Sequence, residues 1–423
     1  MKALITPSLA RGSVRAIASK SMAHRLLICA AFSDATTNVI CTETNKDIEA
    51  TAVCLSALGA DIKRTPDGYE VKPIDRASIP DSPLLDCGES GSTLRFMLPI
   101  VAALGCGARF ALHGRLPERP LSPLCEELEA HGITLSGKEI LTLGGKLDGD
   151  SFSIDGGVSS QFVSGLLFAL SLLDHPATLA VTGKLESAPY VNMTVNSLAL
   201  FGAKPCRSGS EFRINAASKL TSPKNLAVEG DWSNAAFLLA IGALSGEVEV
   251  FGLDQNSAQG DSRIVELLRE FGADITYNFE RGSYISKKSA LHGISIDASN
   301  IPDLVPVLAT IASVAHGRTE IYGAERLRLK ESDRLESSAG MLNSLGASVT
   351  VTKDGLMIDG RDSLSGGHAH SYNDHRIAMS AAVASTVSRG AVTLTGAEAV
   401  EKSYPRFWDD ISSLGVELEL NNI

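Results

Sequence analysis

The 423-residue sequence has no apolar run of the roughly 18 to 20 residues that a bilayer-spanning helix requires. The best candidate, Phe162 to Leu173, is broken by Ser164, Gly165 and Ser171, so a soluble chain without a membrane partner is expected. Positive charge is also short. There are 38 Lys and Arg against 49 Asp and Glu, a net charge of -11, which argues against a general nucleic-acid or anionic-membrane binder. A local cluster can outweigh the global sign, so a small anionic substrate stays open. Seven cysteines, an odd number with no C-x-x-C pair, read as reduced thiols in a cytoplasmic protein rather than a disulfide frame. Lys2, Arg11, Arg15 and Lys20 have no apolar core between them, so no secretory signal is expected. There is no P-loop and no dinucleotide fingerprint, because the turn from Gly88 to Gly91 lacks the Lys-Ser/Thr ending, and nucleotide use is not expected. His368, His370 and His375 mimic a metal triplet, but GGHAHS reads as a turn and no carboxylate pattern supports it, so no metal is expected. The remaining composition, 44% hydrophobic, 21% charged and 5% aromatic, is that of an ordinary globular protein of two or three domains.

What is present is a repeat. Six amphipathic segments end in Gly before a short strand, at Gly59, Gly132, Gly202, Gly272, Gly346 and Gly415, a period of about seventy residues. Gly after the last turn is the expected left-handed cap, since it lacks the Cβ that would clash there. A second phrase recurs in phase: a polar start leading into a helix that is apolar nearly all round, from Ser19, Gly91, Ser159, Asp231, Pro302 and Asn373. Helices without a polar face are buried ones, and sheets must cover them. Six strand-helix-strand units with helices inside and sheets outside are therefore predicted. Two groups of three are favoured over an open solenoid, which needs polar capping repeats that the sequence lacks. The first unit starts mid-module and the last stops after LGVELEL, so N-terminal strands are expected to complete the C-terminal unit. That gives a discontinuous domain, 1-18 plus 228-423, and an inserted domain, 19-227, with the active site in the cleft between them.

Helix starts are natural anion sites, because free N-H groups and the macrodipole point there. Asp231, Ser92 and Asn373 have a plainer reading as caps. Lys20, Gln161 and the pair His375-Arg376 are less easily read so, and the basic ones among them oppose the dipole and need another reason to be there. Loops at equivalent phase add Arg115 and Arg119, Lys184 and Ser187, Arg326, Arg328, Lys330 and Arg334, and Lys402 and Arg406. Their repetition favours a cleft crowded with cations. Asp303 and Glu331 stand among these bases, either as structural ion pairs or as proton-transfer groups.

SKSMAHR at 19-25, LPERP at 116-120, SSQF at 159-162, IPD at 301-303, LKESDR at 329-334 and NDHR at 373-376 together resemble the 3-phosphoshikimate 1-carboxyvinyltransferase (5-enolpyruvylshikimate-3-phosphate synthase) family of enolpyruvyl transferases. The resemblance spans essentially the whole chain. It implies a two-domain inside-out α/β barrel of six βαβαββ repeats, three per domain. It also implies transfer of the enolpyruvyl group of phosphoenolpyruvate to the 5-hydroxyl of shikimate 3-phosphate by a monomer, with no metal or organic cofactor. Lys20, Ser21, Arg25, Ser159, Ser160, Gln161, Ser187, Asp303 and Lys330 would surround shikimate 3-phosphate. Lys20, Gly91, Arg119, Gln161, Arg334, His375, Arg376 and Lys402 would surround phosphoenolpyruvate, with Tyr190 nearby. The catalytic groups would be Asp303, as acceptor of the hydroxyl proton, and Glu331 and Lys20, handling protons at the methylene carbon. Two positions depart from the family pattern, Glu89 and Arg326, where many members carry Asn. Two other functions compete. UDP-N-acetylglucosamine 1-carboxyvinyltransferase shares the chemistry but carries a reactive Cys in the loop occupied here by LPERPLSP, where the nearest thiol is Cys125. The other is a non-catalytic repeat scaffold with a basic cleft.

Overall fold

The computed structural model describes residues 1-41, 43-215 and 220-421. Contacts divide the chain into two compact units, Met1–Ile17 with Glu229–Ile423, and Ala18–Val228. Each has its own apolar core.

Among the described residues every sheet has four strands in one order: a parallel pair, then two antiparallel strands. The unit around helix Gly91–Leu104 shows the plan. Leu84–Asp86 runs parallel to Ala108–Ala111, the two being joined through that helix. After helix Leu124–Ala130 the hairpin of Ile133–Ser136 and Ile140–Gly145 adds to the same sheet. This is a βαβαββ module. Two of the six modules borrow strands from the chain's beginning: Lys2–Thr6 lies between Val392–Thr395 and Glu417–Asn421, and Arg11–Arg15 runs parallel to Glu247–Phe251. In the inserted unit, Asn225–Ala227 returns to pair with Thr37–Ile40.

Periodicity explains the layering. Strands such as Ser151–Asp155 alternate exposed and buried residues, which places one face against a core. All 14 residues of helix Trp232–Ser245 are buried. Each Leu, Ile or Phe removed from water in such helices contributes about 1.5 to 3 kcal/mol. Two glycines permit the close packing. A Cβ on Gly165 would strike the Arg95 carbonyl and come 2.9 Å from Pro99 on the neighbouring helix, and one on Gly242 would come 2.6 Å from the Ser286 carbonyl. All six repeat glycines have φ between 84 and 108°, the left-handed region that a side chain disfavours.

One expectation fails here. GGHAHS is not a turn: Gly367–His370 is a strand parallel to Val392–Thr395. Ala369 points into the core while His368 and His370 are exposed, so the alternation overrides the glycines.

Candidate functional site

Three buried helices of the inserted unit begin at Lys20, Gly91 and Ser160, each capped by a serine hydroxyl, from Ser19, Ser90 and Ser159 respectively. Lys20, in the first turn of its helix, sends Nζ to Asp47 Oδ2 at 2.9 Å. The Arg119 guanidinium lies directly on Gly91: a Cβ there would be 2.7 Å from one terminal nitrogen and 2.9 Å from Cζ. Gln161 is held from both ends, its Oε1 accepting from Arg95 at 2.7 Å and its Nε2 donating to Ser92 Oγ at 2.7 Å. Arg95 also donates to the Pro120 carbonyl, so one buried guanidinium ties the LPERP loop to Gln161.

Arg25 is buried and donates to Thr194 Oγ1, Ser21 O and Tyr190 O at 2.7 to 2.8 Å, fixing Ser21 and Tyr190. Burial pulls its pKa down to about 10. Ser160 and Ser187 are buried, and Ser187 has φ 53°, a left-handed conformation uncommon outside glycine and enriched at functional sites. Behind these groups a buried polar chain runs from His24 Nδ1 to Thr51, from Thr51 to Thr93, and from Thr93 to the cap Ser90. Burial, and then the charges of Lys20 and Arg25, hold His24 well below the ordinary imidazole pKa. Glu89, the first departure, lies against Gly114, where a Cβ would come 2.8 Å from its Oε2.

In the other unit the centre is Arg334, whose side chain is 2% exposed. It meets three carboxylates: Asp303 Oδ1 at 2.7 Å, Glu331 Oε2 at 2.8 Å and Asp374 Oδ2 at 2.8 Å. Asp374 also caps the last buried helix by accepting from Arg376 N at 2.9 Å. Arg376 and Lys330 complete the ring round Asp303, at 3.4 and 3.8 Å. Burial alone would raise the Asp303 pKa, but Arg376, Lys330 and Arg334 together hold it well below the usual carboxylate range. His375 is buried at the helix start beside Asp374, and Lys402 Nζ donates to the Asn373 carbonyl at 3.1 Å. Arg326, the second departure, donates to the Ser299 carbonyl in the loop that leads to Asp303.

The expected residues thus fall into two sets. Lys20, Ser21, Arg25, Gly91, Arg119, Ser159, Ser160, Gln161 and Ser187 belong to Ala18–Val228, and Asp303, Lys330, Glu331, Arg334, His375, Arg376 and Lys402 to the other unit. Arg115, Lys184, Arg328 and Arg406 pair with Glu118, Glu186, Asp333 and Asp410, acids a few residues away that neutralise them locally. The caps also shift. Asp231 does cap its helix, but Ser92 lies inside one and Ser90 caps it, while Asn373 is left-handed at φ 56° and Asp374 caps in its place. A cap needs extended backbone, which Ser90 and Asp374 have. Sequence reasoning missed Asp47, Arg95 and Asp374. Arg95 carried a signal, being the one charge within an apolar helix. Among the described residues no helix is long and apolar enough to cross a membrane.

The model of the EPSP synthase (3-phosphoshikimate 1-carboxyvinyltransferase) family matches residues 6-411. Proteins named 3-phosphoshikimate 1-carboxyvinyltransferase are similar over most of the chain. The one from Clostridium kluyveri is 42% identical over 421 residues, covering 98% of this chain and 97% of that protein. The one from Clostridium perfringens is 40% identical over 417 residues, covering 98% of each. Among solved structures, an EPSP synthase from Acinetobacter baumannii superposes with a TM-score of 0.82 at 26% identity, covering 100% of both chains.

Proposed function

We infer that this chain, which belongs to the EPSP synthase (3-phosphoshikimate 1-carboxyvinyltransferase) family, transfers the enolpyruvyl group of phosphoenolpyruvate to the 5-hydroxyl of shikimate 3-phosphate and releases phosphate. The observation that carries this reading is the ring of Arg334, Arg376 and Lys330 round Asp303: one proton acceptor within reach of three anion-binding side chains.

Two phosphates and two carboxylates must be brought together, so their repulsion has to be neutralised by cations with directed hydrogen bonds. Lys20, Arg119, Arg334, Arg376 and Lys402, with Gly91, Gln161 and His375, hold phosphoenolpyruvate. Ser21, Arg25, Ser159, Ser160, Gln161, Ser187, Asp303 and Lys330 hold shikimate 3-phosphate. The hydroxyl oxygen forms a bond to C2 while its proton passes to Asp303 and C3 takes a proton from Lys20 or Glu331. The resulting tetrahedral adduct loses a C3 proton and expels phosphate, so each acid of the first step serves as a base in the second.

The cations that keep Asp303 ionised in the free protein are also those that the substrate anions require. Binding draws them partly away from the carboxylate, and its affinity for a proton rises when the proton has to be accepted. Cys125 favours shikimate 3-phosphate over the UDP-sugar as acceptor. It lies on helix Leu124–Ala130, and burial pushes its thiol up to about 11, far from a reactive thiolate near neutral pH.

The test is phosphate release from phosphoenolpyruvate with each acceptor supplied separately. Release only with shikimate 3-phosphate is expected. Release with UDP-N-acetylglucosamine would move the assignment, and turnover with neither would leave a scaffold.

A further inference from the structure

Asp261 lies in the short 3-10 turn Gly260–Arg263, outside every role assigned so far, and its side chain is buried. The Ser233 hydroxyl, in the first turn of helix Trp232–Ser245, donates to its Oδ2. The carbonyl of the same Ser233 accepts from Arg376 NH1 at 3.4 Å. Two residues before Asp261, Gln259 accepts from Trp232 N at 3.1 Å and donates to the Gly230 carbonyl at 2.8 Å. The 259-261 segment therefore grips the start of that helix and sets the position of Ser233, on which Arg376 rests. The start itself is satisfied by Asp231, whose Oδ1 accepts from Asn234 N at 2.8 Å.

The charged side chains that act on the Asp261 carboxyl include Asp303, Arg376 and Asp231, from the 3-10 turn Pro302–Leu304, the His375–Ser385 helix and the cap of the Trp232 helix. Burial first, then Asp303, push its pKa up to about 6, against the opposing pull of Arg376 and the Ser233 hydrogen bond. A buried carboxyl next to an ion-paired one is an arrangement in which each group's charge alters the other's hold on its proton.

We propose that Asp261 is a positioning residue for the transfer reaction: through Ser233 it seats Arg376, and through its charge it sustains the basicity of Asp303. This rests on the transferase reading. With Asp261 ionised, Asp303 has a like charge behind it and holds a proton more readily. Without that charge, Arg376 acts on Asp303 against burial and Glu331 alone, and the acceptor is weaker although the substrates still bind.

The experiment is Asp261→Asn, which keeps an acceptor for Ser233 and removes the charge, with Ser233→Ala as a second variant. For Asp261→Asn the expected result is a kcat lower by about tenfold near pH 7, a KM for phosphoenolpyruvate that does not rise, and loss of the acidic limb that the wild type shows as Asp261 takes up its proton near pH 6. Ser233→Ala withdraws both the hydrogen bond that favours the ionised carboxyl and the tie that seats Arg376, so it should lose kcat like Asp261→Asn near pH 7 and, unlike it, raise the KM for phosphoenolpyruvate at every pH. A purely structural role moves the melting temperature but neither the limb nor the balance of kcat against KM. A folded Asp261→Asn protein with an unchanged limb, or with a raised KM and unchanged kcat, overturns the proposal. Carbon-13 NMR titration of labelled aspartates separates this outcome from failure of the transferase reading: in the wild type the Asp303 signal must respond as Asp261 titrates near pH 6, a step missing from Asp261→Asn whether or not the protein turns over, and its absence from the wild type also overturns the proposal.

Discussion

Replacing Arg334 with Met tests the arrangement of the Asp303 cluster directly, because Met fills similar volume and leaves three carboxylates without their shared cation. Asp374 is fully buried, and Asp303 and Glu331 are 18% and 24% exposed, so water replaces little of what is lost. Removing one partner of a buried pair costs about 3 to 5 kcal/mol. For a unit of roughly 210 residues, at about 2 to 4 °C per kcal/mol, the melting transition should fall by roughly 6 to 20 °C. Thermal melts by circular dichroism at pH 7.5 and low salt measure this, and adding Asp374→Asn to the variant should restore part of the loss by deleting the most buried stranded charge. The pH dependence has a definite sign. Arg334 helps to hold Asp303 below its unfolded pKa, which contributes stability above about pH 4 that is lost as pH falls through the folded value. The gap between wild type and Arg334→Met should therefore narrow on acidification below pH 4. A loss under about 1 kcal/mol at pH 7.5, or a double variant less stable than the single one, would refute the reasoning.

Three further outcomes are expected. Gly91→Ala should push the Arg119 guanidinium away by about 0.7 Å to reach ordinary contact; misaligning that charge-assisted donor should raise the KM for phosphoenolpyruvate about tenfold with an unchanged melt, and a KM within about twofold counts against the contact. His24 is buried neutral, so the unfolded chain takes up a proton below about pH 6.5 that the folded one does not. Wild type should lose about 2 kcal/mol from this group between pH 7.5 and 5, a loss absent in His24→Asn, and equal pH slopes in urea titrations would contradict it. Asp303→Ala should leave affinity for shikimate 3-phosphate within about tenfold but cut turnover by about two decades or more, as calorimetry and phosphate release would measure; a proportionate loss in affinity alone would make it a binding residue.

The repeat was legible because its signals are local and periodic. Gly59 and its five equivalents mark where a left-handed residue must end a helix, and unbroken apolar stretches such as Trp232–Ser245 mark what lies inside. The cations of the proposed site were legible for a related reason: Lys20 and Arg376 sit where a helix start repels them. The groups that hold them were not. Asp47 finds Lys20, Arg95 finds Gln161 and Asp374 finds Arg334 across 27, 66 and 40 residues of chain, and no short-range pattern encodes those meetings. The cap errors have a different origin. Ser90 and Ser92, or Asn373 and Asp374, are chemically interchangeable choices in sequence, and only the backbone conformation selects between them.

The strand Lys2–Thr6, seated between Val392–Thr395 and Glu417–Asn421, bears on how the chain matures as it leaves the ribosome. Ala18–Val228 contains every strand of its own three sheets, so it can finish folding about halfway through translation. Lys2–Thr6 must wait for Val392–Thr395 and Glu417–Asn421, roughly four hundred positions later in the chain, before its sheet can form. During that interval its hydrogen-bonding groups are open to pairing with other chains, so the separation between Lys2–Thr6 and its partners is a cost of the design.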